Sequence, residues 1–225
     1  MGNKFKKNIP KIWIKQKHTV SLYRNMKKIK IIAVTYAHTT ELEVFIGSLL
    51  LQTCRDWTLE VWHDGEPPVD VEAIMQRYES DERVVLRWSE SRMGLWGHPN
   101  RKAGLDGLQC SEGDFILITN ADNYYTPNFV EDMLGAADVV DGREVGIVFC
   151  DTIHSHFRWG YHRSTLREGG LDMGCGIVRA DVAQSVGFRW ENFSADGKYF
   201  EACAKECTAK GLVAVHLAKG LFVHN

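Results

Sequence analysis

From residue 29 to residue 151 the chain alternates between short β-branched runs and segments whose apolar residues recur at helical spacing. Ile29–Thr35, Trp57–Trp62, Val84–Trp88, Asp114–Thr119 and Gly146–Asp151 read as strands. Between them, Glu41–Gln52 places Leu42, Phe45, Ile46, Leu49 and Leu50 on one helical face. Val71–Tyr78, Pro99–Cys110 and Pro127–Ala137 read as further helices, with proline at a permitted first turn. Strands that alternate with helices imply crossover connections, and hence an α/β fold with a mostly parallel central sheet and helices on both faces. In such sheets ligands bind beyond the carboxyl ends of the strands. Three strand ends carry polar residues suited to that place: Val34-Thr35-Tyr36, His63-Asp64-Gly65 and Asn120-Ala121-Asp122.

After residue 151 the alternation loosens. Thr152–Gly170 is rich in histidine, arginine and aromatic residues. Met173–Arg179 reads as a short strand, Ala180–Val186 and Gly197–Lys210 as helices, and Val213–Leu217 and Leu221–His224 as short strands. A length of 225 residues suits one large domain. The expected division is a basic extension, 1–28, and a single domain, 29–225. Within the domain, the ordered half, 29–151, is expected to bind a donor and the loop-rich half, 152–225, to shape an acceptor site.

Charge separates the extension from the body. Residues 1–30 hold ten Lys/Arg and no acidic residue, whereas the remainder holds 17 Lys/Arg against 29 Asp/Glu, a net of −12. A basic segment with interspersed Ile12, Trp13 and Ile14 suits peripheral contact with an anionic membrane surface. A plain solvated tail is the alternative. No recognisable nucleic-acid module accompanies the segment, so no nucleic-acid partner is expected. No run approaches the ~20 apolar residues of a membrane span, and no secretory signal pattern is present. The six cysteines form no CxxC pair, consistent with reduced thiols. The expected location is cytoplasmic, on the cytoplasmic face of a membrane if the tail engages lipid.

Asp122 ends a buried-strand pattern, where a carboxylate can hold a hard divalent cation and the cation a phosphate. The competing reading of Asn120–Asn123 is a turn held by local hydrogen bonds. Neither a P-loop nor a GxGxxG motif occurs. Gly94, Trp96, Gly97 and His98 form a candidate lid, and Arg92 and Arg101 are candidate phosphate contacts. Segment 154–163 has three readings: an acceptor loop using Trp159 or Tyr161 as a stacking surface, a zinc site using His154, His156 and His162, or an ordinary surface loop.

In order and spacing, several pieces together resemble the family-2-type glycosyltransferases of the GT-A fold, part of the nucleotide-diphospho-sugar transferase superfamily. They are Val34-Thr35-Tyr36, Ser48–Thr53, Trp57–Gly65, the glycine loop leading to Asn100, Gly113–Asp122 and Pro127–Val130. The resemblance spans about residues 29–224. It implies an inverting hexosyltransferase acting in glycan or polysaccharide synthesis. The sugar would pass from a nucleotide diphosphate donor, expected to be a UDP-sugar, to a hydroxyl of a glycan or lipid-linked glycan acceptor. It assigns Asp64, Thr35 and Tyr36 to the base pocket. Asn120 and Asp122 become the first and last positions of a DxD motif, with Asn120 on the ribose. Asp122 and His224 become ligands of Mn²⁺ or Mg²⁺. Asp196, within Phe193–Phe200, becomes the catalytic base, and the competing role for it is to cap the following helix.

Two departures from the family pattern, Asn120 and Ala195, keep open a second reading, a nucleotide-sugar-binding module without transfer activity. A nucleotidyltransferase would need a glycine-rich, lysine-bearing loop, and Tyr36–Glu41 has neither.

Overall fold

The computed structural model describes residues 27–225; the basic extension up to residue 26, with its expected membrane contact, lies outside the described residues. The strands are β1 (Ile29–Thr35), β2 (Trp57–His63), β3 (Val84–Trp88), β4 (Phe115–Asn120), β5 (Tyr124–Tyr125), β6 (Val145–His154), β7 (Gly160–His162), β8 (Gly176–Arg179) and β9 (Val213–His224). The α-helices are α1 (Thr39–Leu50), α2 (Val69–Gln76), α3 (His98–Gly107), α4 (Phe129–Gly135), α5 (Ala180–Val186) and α6 (Ala195–Ala209).

The strands form one sheet in the order β3-β2-β1-β4-β8-β6-β9-β5, with β7 paired to β6. The alternating half is parallel: β1 pairs with β2 and β4, and β2 with β3. Beyond β4 the sheet is mixed. β8 runs antiparallel to β4 and β6, while β9 runs parallel to β6.

Side-chain alternation along β1 and β4 sorts the core into two layers. Ile29, Ile31, Ala33, Phe115 and Leu117 pack with Phe45, Ile46, Val71, Ile74, Phe129 and Met133 of α1, α2 and α4. Ile32, Ile116 and Ile118 pack with Leu105, Val182, Tyr199 and Phe200 of α3, α5 and α6. Successive strand residues point to opposite faces, so a continuous apolar run is what a sheet covered on both sides requires.

Several expected boundaries shift. Helix α1 begins at Thr39, two residues before the expected Glu41, with His38 as its cap residue and no side-chain cap bond. The stretches expected as two strands near the C-terminus are one strand, β9, interrupted by register shifts opposite Cys150–Thr152. Strand β6 continues three residues beyond the expected Asp151, to His154. Cys203 and Cys207 lie on one face of α6 and are buried in its apolar layer, where burial pushes the Cys203 thiol far up and the Cys207 thiol up to about 12. That environment suits packing rather than metal binding. No helix of the described residues is long and apolar enough to cross a membrane.

Helix α3, which carries Arg101, approaches the sheet closely at Gly104. A Cβ there would lie 2.8 Å from Ile32 Cγ2 and 3.0 Å from Trp62 Nε1. Gly104→Val should therefore destabilise the fold by about 1–3 kcal/mol through overpacking, at about 2–4 °C of melting temperature per kcal/mol. Thermal unfolding followed by circular dichroism measures this; an unchanged melting temperature would contradict the close approach.

Candidate active site

The sheet topology gathers chemistry at one edge. The carboxyl ends of β1, β2 and β4 lie side by side, with Thr35 opposite His63 and Val34 opposite Asn120. Because β8 is antiparallel to β4, the turn that precedes it, Asp172–Cys175, sits at this same edge. Strands β6 and β9 run in the direction of β4 and end there at His154 and His224. A cavity of about 1190 Å³ opens above this edge, lined by Thr35, Tyr36, Asp64, Arg101, Asn120, Asp122, Asp196 and His224 among others. All eight of these were named from the sequence, and the fold brings them into one cavity.

On one side lies the region assigned to the base. Thr35 is buried and Tyr36 is exposed, with the Arg92 guanidinium 4.0 Å from the centre of its ring. Asp64 is buried, and its carboxylate oxygens accept from the backbone N–H groups of Met93 (2.8 Å) and Gly94 (2.9 Å). Asp64 thus anchors the loop above it. Gly94, Leu95, Trp96 and Gly97 all have positive φ (67°, 51°, 54° and 77°). Left-handed backbone is costly for leucine and tryptophan, so this loop is held in place by its surroundings. His98 is not part of the loop; it is the first residue of α3.

Beneath the loop, the Arg101 side chain is buried and donates to Trp96 O (2.7 Å), His98 Nδ1 (2.7 Å) and Asn120 Oδ1. Burial, followed by repulsion from Arg101, pushes the His98 pKa down to about 4. A neutral His98 that donates from Nε2 to Asn192 O (3.1 Å) presents Nδ1 as the acceptor that Arg101 needs. Burial also lowers the Arg101 pKa, against the pull of Asp196, Asp172 and Asp122. Three donor bonds of Arg101 thus go to neutral protein acceptors, its Nε is buried without a partner among the described residues, and its positive charge acts on three carboxylates.

Asp122 is half-buried, and its Oδ1 is fully buried without a hydrogen-bond partner among the described residues. Burial raises its pKa, while His38 and His224 oppose the rise. A buried, unpartnered carboxylate oxygen facing a polar cavity fits the role of ligand to a divalent cation. Asn120, by contrast, is held by Arg101.

Asp196 does not cap α6. The helix begins at Ala195, so Asp196 occupies its first turn, and its Oδ2 accepts from Met173 N (3.2 Å) across the cavity. Burial and then the nearby Asp172 push its pKa up to about 6, with Arg101 as the main opposing influence. Asp172 also lines the cavity, accepts from Gly174 N (3.0 Å) and lies 3.4 Å from His224 Nε2. Of segment 154–163, His154, His156 and Phe157 line the cavity, whereas Trp159 and Tyr161 do not. The Tyr161 hydroxyl donates to Asp151 Oδ2 (2.5 Å). Trp96 and Phe193 add further exposed aromatic surface at the cavity, in an edge-to-face contact with ring centres 6.4 Å apart. Phe193 was missed as a site residue because an isolated loop aromatic carries no periodic signal.

The sequence model of glycosyl transferase family 2 matches residues 30–181, two thirds of the chain. The chain therefore belongs to glycosyl transferase family 2. Among solved structures, residues 1–349 of TarS from S. aureus, in complex with UDP, superimpose with a TM-score of 0.71 at 15% identity, covering 88% of this chain and 60% of that one. The same TarS fragment in complex with UDP-GlcNAc gives a TM-score of 0.69 at 16% identity, covering 88% and 58%. The mannosyltransferase PcManGT from Pyrobaculum calidifontis, in complex with GDP-Man and Mn²⁺, gives 0.65 at 15% identity, covering 90% and 57%. These likenesses establish the GT-A fold. The chain spans about 60% of the length of the structures it matches most fully.

The raised pKa of Asp196 has a consequence for stability. A carboxyl whose folded pKa exceeds its unfolded value favours folding below the unfolded pKa of 3.8, and that advantage is lost as pH rises through about 6. Asp196→Asn removes the buried charge, so its melting temperature should exceed that of the parent protein at pH 7.5, with the gap closing towards pH 4. Paired thermal melts at the two pH values measure this; an equal gap at both would contradict the shift.

Proposed function

We propose that the chain is an inverting hexosyltransferase, which moves a sugar from a nucleotide diphosphate donor to a hydroxyl of a glycan or lipid-linked glycan. The observation that carries the reading is the pairing of two different carboxylates in one cavity: Asp122, with a buried unpartnered oxygen, and Asp196, with its pKa pushed up to about 6. Environments that separate two carboxylates in this way separate their chemical roles.

Asp196 receives the acceptor hydroxyl's proton as its oxygen forms the new bond to the anomeric carbon. The anomeric carbon–oxygen bond to the diphosphate breaks on the opposite side, which inverts the configuration. A base with a pKa near 6 is ionised at neutral pH while remaining basic enough to take a proton. Asp122 would hold Mn²⁺ or Mg²⁺, with His224 the second ligand that the family resemblance assigns, and the ion would supply positive charge to the departing diphosphate. Thr35, Tyr36 and Asp64 border the space for the base, and Arg92 stands over Tyr36. Arg101 fixes Asn120 beneath the ribose position and balances the carboxylates. Trp96 and Phe193 offer stacking surface for an acceptor sugar ring. The TarS complexes with UDP and UDP-GlcNAc support a UDP-sugar as donor, and the PcManGT complex with Mn²⁺ supports a divalent cation.

One observation favours a second reading, a nucleotide-sugar-binding module without transfer. Asn120 spends its side-chain oxygen on Arg101 rather than leaving it to a ligand. UDP release from a UDP-sugar in the presence of Mn²⁺ and an acceptor glycan separates the two readings. Transfer by the parent protein should fall by about 10²–10⁴-fold in Asp196→Asn, the range of general base catalysis, and should fall strongly in Asp122→Ala as well. Its kcat/KM should rise with pH through about 6. Binding of UDP without turnover, or full activity in both variants, would overturn the proposal.

A further inference from the structure

A group of histidines stands at the far end of the cavity from the base pocket. His154 ends β6 and His224 ends β9, and the two are paired across the strands in register. His156 follows in the turn that leads into β7. One ring nitrogen from each of His154, His156 and His224 lies within 4.8 Å of the other two. We propose that these three imidazoles bind a first-row transition metal ion of the Zn²⁺ class, which assigns His224 to this site instead of to the cation at Asp122.

Three details support a built site. First, His224 Nδ1 lies 3.1 Å from His154 Nδ1. Zinc–nitrogen bonds of about 2.0–2.1 Å in a tetrahedron place neighbouring nitrogens about 3.3 Å apart, so this pair already has nearly the spacing of two ligands. Second, the other nitrogen of His224 faces Asp172 Oδ2 at 3.4 Å. A ligating histidine usually gives its second N–H to a carboxylate, which fixes the ring and raises its basicity. Third, the two central ligands stand on adjacent strands of the main sheet rather than on a free loop, and the exposed His156 brings a ring nitrogen within 4.8 Å of theirs.

The donor set also defines the class of ion. Three imidazoles suit zinc, cobalt, nickel or copper, whereas Mg²⁺ and Ca²⁺ take oxygen ligands. Three protein ligands leave a fourth position free, the arrangement of open zinc sites. That position faces the cavity, because all three histidines line it. His162, which the sequence grouped with His154 and His156, has its ring centre 4.6 Å from that of His154 but is not among the three.

The test uses Co²⁺ as a spectroscopic probe, with the full chain, any affinity tag removed, and no nucleotide present. Its outcome is therefore independent of whether the chain transfers sugar. One Co²⁺ per chain should bind with the visible absorption of a low-coordinate nitrogen site. Zn²⁺ should displace it, and millimolar Mg²⁺ should not. Loss of an outer partner of a metal ligand costs about 10–100-fold in affinity, so His154→Ala and His156→Ala should each weaken binding by more than that. His156 is exposed, so its variant should keep the parent circular dichroism spectrum. Asp122→Asn and His162→Ala should bind Co²⁺ like the parent. Absence of Co²⁺ binding, unchanged affinity in the His156 variant, or loss of binding in Asp122→Asn would each overturn the proposal.

Discussion

The buried guanidinium of Arg101 is the interaction on which the rest of the site depends. Three carboxylates, Asp122, Asp172 and Asp196, face one cavity, and Asp172 raises the cost of ionising both Asp122 and Asp196. A permanent cation at their base offsets that cost. The same side chain holds Trp96 O, His98 Nδ1 and Asn120 Oδ1, and so joins the glycine loop, the start of α3 and the end of β4. A lysine would not reproduce this, because one ammonium cannot span acceptors in a planar fork.

Around that centre, the parallel half of the sheet and the mixed half meet at one edge. Asp64 restrains the loop over the base pocket through Met93 and Gly94. On the other side, buried Asp151 accepts from His216 Nε2 (2.7 Å), Ser164 N (2.8 Å) and the Tyr161 hydroxyl. Those bonds fasten the segment after β6 to the sheet and so help to set the place of His154 and His156. Rigid elements therefore position the carboxylates and histidines, while the strained stretch 94–97 and the exposed Phe193 border the opening where an acceptor arrives.

The sequence was most legible where both faces of a strand are buried. β1 and β3 have the boundaries that the β-branched runs indicate, and the polar residues that follow β1, β2 and β4 stand in the cavity as expected. Legibility fell where the chain reverses on itself. β5 and β7 span two and three residues, too few for periodicity to show. The grouping of His154 with His224 depends on a parallel pairing across 70 residues, which local spacing cannot reveal. The commitment of Arg101 to protein acceptors was also hidden, because it arises from the neutral state of His98 and from the path of the loop. The cation reading of Asp122 came from its place at a strand end and the base reading of Asp196 from resemblance; what neither could show is an unpartnered buried oxygen on the first and a desolvated carboxyl on the second.

The central claim is that Asp122 couples a divalent cation to a nucleotide diphosphate in this cavity. Calorimetric titration of UDP into the parent protein and into Asp122→Asn, each with Mn²⁺ and with chelator, tests it most directly. The parent should bind UDP more tightly with Mn²⁺ than with chelator, and the variant should lose that difference while keeping the weaker, metal-independent binding. Equal UDP affinity of the parent with and without Mn²⁺, or an undiminished Mn²⁺ effect in the variant, would contradict the account.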